Sequence, residues 1–231
     1  MASAQSELPK FSDLPLNKGD PPHSAWGLYG KDDQLGTLNR LTNEVVLAAK
    51  DEIKTGTSFF DLAIENYRDI DVSRRVSLNW PLDAQSTPLF ARQAFHKDIV
   101  RKSPRIVNDD VWTFNSQSSS QWDGLRHFAY QKEQKFYNGV TMDDIHGDGA
   151  STVNGIQAWS EKGIVGRGIL LDYHSWRLSQ GISFDPLSTS SIPLAHLKAV
   201  AEAQGTEIRF GDILIIRSGG FQNFHDVDAR K

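Results

Sequence analysis

Cysteine is absent from the 231 residues. That removes disulfides, thiolate nucleophiles and cysteine-bound zinc together, and it fits a reducing compartment. Long apolar runs are also missing, and nothing approaches the ~18 residues of a membrane span. The opening stretch, where Pro9, Pro15, Pro21 and Pro22 stand among Ser, Asp and Lys, lacks the apolar core of a signal peptide. These absences together predict a cytoplasmic protein. There is no excess of positive charge either: 25 Lys and Arg face 29 Asp and Glu, for a net charge of −4. With both signs interspersed, no basic stripe exists to neutralise phosphates and no polybasic segment to meet a lipid surface. Nucleic acid and membrane therefore drop out as partners, and a small molecule remains.

The length suits one well-buried core. We read residues 1–25 as an irregular N-terminal arm and 26–231 as a single domain. Trp26 to Asn39 mixes Gly27, Gly30 and Gly36 with Asp32 and Asp33, which is turn chemistry; an ordered loop pinned by Trp26 is expected. Thr42 or Asn43 can cap a helix with Val45, Val46, Ala49 and Ile53 at helical spacing, closed by Gly56. Thr57 to Ile64 and Val76 to Trp80 read as strands, and the segment from Pro81 toward Ala94 as a long loop, a candidate lid. Val111 to Phe114 is β-prone. Asn154 to Lys162 reads as a helix stopped by Gly163, and Gly168 to Tyr173 as a strand buried on both faces. Pro193 to Ala203 repeats the helix pattern up to Gly205, and Phe210 to Arg217 is a further buried strand. Alternating strands and helices in the second half, after a strand-rich first half, predict an α/β fold: a mixed sheet with flanking helices.

The chemistry concentrates between Asn115 and Tyr130, N-S-Q-S-S-S-Q-W-D-G-L-R-H-F-A-Y. Asp123 and His127 stand four apart, preceded by Gln117 and Gln121, themselves four apart. An imidazole near its ordinary pKa of ~6.5 both takes and returns a proton at neutral pH. Asp123 reads as an orienting or metal-binding carboxylate, or as a turn residue before Gly124. Arg126 can fork onto a substrate carboxylate or serve a structural ion pair. Trp80, Trp122 and Tyr130, with Phe95, Trp112, Phe128, Phe136 and Tyr137, supply aromatic surface for a small-molecule pocket or for the core.

This stretch resembles the signature H-x-G-T-H-x-D-x-P-x-H of the cyclase and kynurenine formamidase family. Its Asp falls on Asp123 and its last His on His127, while its first two His positions carry Gln117 and Gln121. Ser119, Ser120 and Leu125 stand at its Gly, Thr and Pro. Further blocks resemble the fungal cyclase-like branch: W-G-x-x-x-x-x-D-Q-L-G-T-L-N from Trp26, F-Y-N-G from Phe136, G-R-G-I-L-L-D from Gly166 and G-D-I-L-I-I-R-S-G from Gly211.

The resemblance implies the family's swivelling β/β/α fold and a small-molecule enzyme. In such enzymes a metal-activated water attacks an amide or lactam carbonyl while the last motif His moves the proton. It assigns catalysis to His127 and Asp123, substrate contacts to Gln117, Ser120, Gln121, Trp122, Arg126, Tyr130 and Trp80, and a divalent zinc or manganese ion to Asp123. Amide oxygens at Gln117 and Gln121 are poor ligands for such ions compared with imidazole, so the metal is expected to be weak or absent. The other histidines, His23, His96, His146, His174, His196 and His225, show no H-x-x-x-H spacing. Hydrolysis, cyclisation or isomerisation on an aromatic or polyketide-like substrate follows as the expectation, with an inactive binding or scaffolding homologue as the alternative. Family members continue past the Gly211 to Gly219 block, so an unpaired sheet edge here predicts a homodimer or higher homo-oligomer, with the Asp123 and His127 region near the contact.

Overall fold

The computed structural model describes residues 8–53, 57–58, 74–75, 79–147, 151–185, 188 and 190–219. In chain order its regular elements are α1 (Asn43–Ala49), β1 (Thr57–Ser58), β2 (Arg74–Arg75), β3 (His96–Arg101), β4 (Asn108–Thr113), α2 (Met142–His146), α3 (Gln157–Lys162), β5 (Gly168–Leu171), α4 (Tyr173–Ser179), α5 (Leu194–Gln204) and β6 (Ile213–Ile216). They fall into two compact units. One holds residues 1–36 and 54–162, the other 37–53 and 163–231.

In the first unit, β1 and β2 pair in parallel, and β3 and β4 form an antiparallel hairpin from His96↔Thr113 to Arg101↔Asn108. The strand expected from Val111 therefore begins earlier, at Asn108, and its partner lies where no strand was read. Every residue of the hairpin is exposed. Of the strand expected over Thr57 to Ile64, Thr57 and Ser58 are extended and the rest lies outside the described residues. Asn79 and Trp80, the described end of the Val76 to Trp80 expectation, are irregular.

Irregular backbone in this unit is held by side chains in place of a ladder. Asn138, with φ +55°, accepts a hydrogen bond from the Gly27 amide (2.9 Å) and donates to the carbonyls of Gly30 (3.1 Å) and Asp33 (3.1 Å). Tyr137 Oη donates to Asp33 at 2.9 Å. Burial, then the hydrogen bond and charge of Asp33, push the Tyr137 phenol well above its usual value. The two blocks at Trp26 and Phe136 are thus stapled together, and Trp26 is buried as the turn-rich sequence required. Asn154, 1% exposed, ties in the next segment. Its backbone N–H donates to Gln34 Oε1 (2.7 Å) and its side chain to the Tyr137 carbonyl (2.9 Å).

In the second unit, α1 starts where capping chemistry put it, with Thr42 Oγ1 accepting from the Val45 amide. It is shorter than its apolar spacing suggested: the α-helix ends at Ala49, a single 3₁₀ turn follows to Glu52, and Ile53 is exposed. Gly56 lies outside the described residues. Helix α5 runs as read and ends at Gly205, whose φ of +65° is the left-handed C-terminal cap. β5 and β6 pair in parallel from Gly168↔Ile213 to Leu171↔Ile216. Neither is buried on both faces as expected. Ile169 and Leu171 face inward while Leu170, Leu214 and Ile216 are exposed. Leu171, Tyr173 and Val200 form the core, with Trp176, Phe184, Ile192, Leu197 and Ala201 packed around it. The continuous apolar runs therefore cover one side only.

Asn154 is the buried junction of the first unit. Replacing it with Ala orphans the Tyr137 carbonyl and puts at φ +53° a residue that tolerates the left-handed region less well than Asn. A loss of about 1–3 kcal/mol is expected, read as a lowered denaturant midpoint with unchanged slope.

Candidate functional site

The polar run after β4 folds into a turn because its own side chains accept backbone donors. Asn115 Oδ1 accepts from the Gln117 amide at 2.8 Å, capping a 3₁₀ turn at Ser116–Ser118. The preceding long loop is tethered to the turn at both ends. Ser119 Oγ donates to the Trp80 and Pro81 carbonyls, and Ser120 Oγ accepts from the Trp80 amide at 2.7 Å. Arg92 Nη1 donates to the Gln117 carbonyl at 3.0 Å, and the Asn115 amide to the Gln93 carbonyl at 3.1 Å. Downstream, Gly124 lies so close to the Asn154 carbonyl and the Ile156 amide that a β-carbon there would sit 3.4 Å from each. The Arg126 amide donates to the Asn154 carbonyl at 3.1 Å.

This scaffold brings four of the expected residues together around one carboxylate. Gln117 Nε2 and Gln121 Nε2 each donate to Asp123 Oδ1 at 2.7 Å. Gln117 Nε2 also stands 3.3 Å from His127 Nδ1, and His127 Nε2 is 3.9 Å from Asp123 Oδ2. Both side chains reach solvent, at 38% for His127 and 53% for Asp123. Burial pushes the Asp123 carboxyl up, but hydrogen bonds from Gln117 and Gln121 and the charges of His127 and Arg92 outweigh it. The net position is below the usual carboxylate range.

The other expected residues make contacts of their own within the chain. Ser120 anchors Trp80 through the backbone. Arg126 Nη1 donates to the Ser151 backbone carbonyl at 2.8 Å. Tyr130 packs edge-on against Trp26 at 5.6 Å, and Trp122, 60% exposed, against Trp159 at 6.3 Å. An open cleft of about 420 Å³ in this unit is lined by Asn138, Gly139, Val140, Asp144, Ser151 and Val153. Arg92 was missed by sequence reasoning. It sits 25 residues before Gln117 with no spacing signal, and only the folded loop brings it near Asp123.

The residues present do not fit a divalent ion. Asp123 is the one carboxylate in the group, and the two amides beside it, which give their nitrogens to Oδ1, are neutral groups and poor ligands for zinc or manganese compared with imidazole. Among the described residues no three His, Cys, Asp or Glu converge. His23 stacks on Phe11 and His196 on Tyr173, His96 pairs with Asp98 at 3.2 Å, and His174 meets Arg177 at 3.1 Å. His225 lies outside the described residues.

A mixed α/β chain with an imidazole and a carboxylate on a side-chain-braced loop after a hairpin strand defines the class. The chain belongs to the cyclase family: residues 60–230 match the family profile described as "Putative cyclase". It is similar to the crystal structure of a protein described as a novel cyclase, with 29% identity and a TM-score of 0.68. The match covers 87% of this chain and 64% of that one, so this chain spans less than two thirds of that protein's length. No curated protein matches. The mixed α/β expectation and the family resemblance both stand.

Because the Asp123 carboxyl is lowered by donated hydrogen bonds, its contribution to stability is present above the unfolded-state pKa and is lost as pH falls through the folded one. Carbon-13 NMR should place its midpoint below the ordinary ~3.9. Gln117→Met with Gln121→Met should move that midpoint upward.

Proposed function

We propose that the chain is a small-molecule enzyme of the cyclase family in which His127 is the acid/base group and Asp123 holds it in place. The carrying observation is the Gln117 amide, whose nitrogen lies within reach of both the Asp123 carboxylate and the His127 ring. A histidine merely exposed on a surface loop has no need of a neighbour shared with a carboxylate. The described solved relative is called a cyclase, which supports ring-forming or isomerising proton transfer, with amide hydrolysis of the formamidase type as the related outcome. An aromatic or polyketide-like substrate suits the exposed Trp122 and Phe128 beside the pair. Gln121 retains a second amide hydrogen and Ser120 its hydroxyl hydrogen, the donors left for a developing oxyanion.

The double amide clamp on Asp123 favours one other reading, a family member that binds a small molecule without converting it. Turnover separates the two. Incubation with aromatic formamides, lactams and polycarbonyl chains, followed by mass spectrometry, should give a product, and His127→Gln should lower kcat/KM by at least the ~10²-fold of a lost general acid/base. Turnover unchanged in that variant overturns the assignment. Binding with no product in the wild type supports the second reading.

A further inference from the structure

We infer that Gln117 is a positioning residue that fixes the tautomer of His127, placing the ring proton on Nε2 so that the ring meets a substrate as a hydrogen-bond donor. This deepens the acid/base reading above and rests on it for its catalytic meaning, although the tautomer itself does not.

The inference starts at Asp123 Oδ1. An ionised carboxylate oxygen only accepts, so a group 2.7 Å away must donate, and the Gln117 amide has one end that can. Turning the amide over would set its oxygen against the anion. Its nitrogen is therefore fixed on the Asp123 side, and it carries two hydrogens. With one on Asp123, the other is left for His127 Nδ1 at 3.3 Å. Since Gln117 offers nothing there but a donor, Nδ1 must hold the lone pair, and the proton of the neutral ring sits on Nε2.

The consequence lies on the other side of the ring. Nε2–H comes within 3.9 Å of Asp123 Oδ2, too far for a direct hydrogen bond. Oδ2 has no hydrogen-bond donor among the described residues, because both glutamines hold Oδ1. A donor at Nε2 and an anionic acceptor at Oδ2 thus stand side by side at the exposed edge of the pair. A substrate carbonyl or leaving oxygen matches the first, and a hydroxyl or water hydrogen the second. For His127 to accept a proton at Nε2, the Gln117 amide must first release Nδ1.

Side-chain nitrogen-15 NMR of the full chain at neutral pH tests this, with the His127 ring assigned by its loss in His127→Gln. The wild type should show an unprotonated Nδ1 and a protonated Nε2; a protonated Nδ1 overturns the inference. Gln117→Met removes the donor, and the Nδ1 resonance should shift toward the averaged position of a free imidazole. Gln117→Glu places an acceptor beside Nδ1 and should shift it further, to the protonated position. A Nδ1 resonance unmoved in both variants also overturns the inference. Failure of the acid/base reading would show as turnover indifferent to His127, and would leave these shifts as they are.

Discussion

The buried side chain and backbone of Asn154 are what the first unit depends on. Its amide N–H, its carbonyl and its side-chain nitrogen reach Gln34, Arg126 and Tyr137 respectively. Three stretches with little regular structure are thereby fixed to one residue that is 1% exposed. A loop cannot be buried unless its polar backbone groups find partners. Here Asn154 and Asn138 are those partners, both in the left-handed region that Asn tolerates better than most residues. The Arg126 contact passes the constraint to the turn bearing Asp123 and His127, and Gly124 packs directly against the same Asn154 to Ile156 backbone.

Within the turn the organising element is one carboxylate oxygen. Hydrogen bonds that involve an ionised partner are shorter and about twice as strong as neutral ones, and Asp123 Oδ1 receives two of them at 2.7 Å. These hold the amide planes, and through Gln117 the imidazole. Arg92 adds a positive charge and secures the Gln117 backbone, so the long loop named as a candidate lid is anchored to the turn at both ends.

Much of this was legible where a local rule decides. Thr42 capped its helix, Gly205 ended another, and the four-residue spacing of Asp123 and His127 did bring the two side chains together. The errors share a cause, in that a run of apolar residues reports hydrophobicity and not its partner. Gly168 to Tyr173 and Phe210 to Arg217 read as buried strands, but in the two paired segments only Ile169 and Leu171 are buried. His96 to Arg101 carries Lys, Asp and Arg among its apolar residues and offered no clean alternation, so its strand was invisible until its partner was seen. Gln117 and Gln121 were read as poor metal ligands and donors to substrate. Their use as a clamp on Asp123 depends on the turn capped by Asn115, which composition cannot specify.

The clamp leaves in place a negative charge that a bound metal would neutralise. A bound divalent ion would be the largest local charge and would draw the carboxylate's electrons toward itself. Two amides supply partial charges only, so Asp123 keeps its full negative charge while its acid form is disfavoured. The uncommitted Oδ2 therefore remains an anionic acceptor over the whole neutral range. Beside it stands the His127 ring, its Nε2 3.9 Å away, so an anionic oxygen and an imidazole share the exposed edge of the turn.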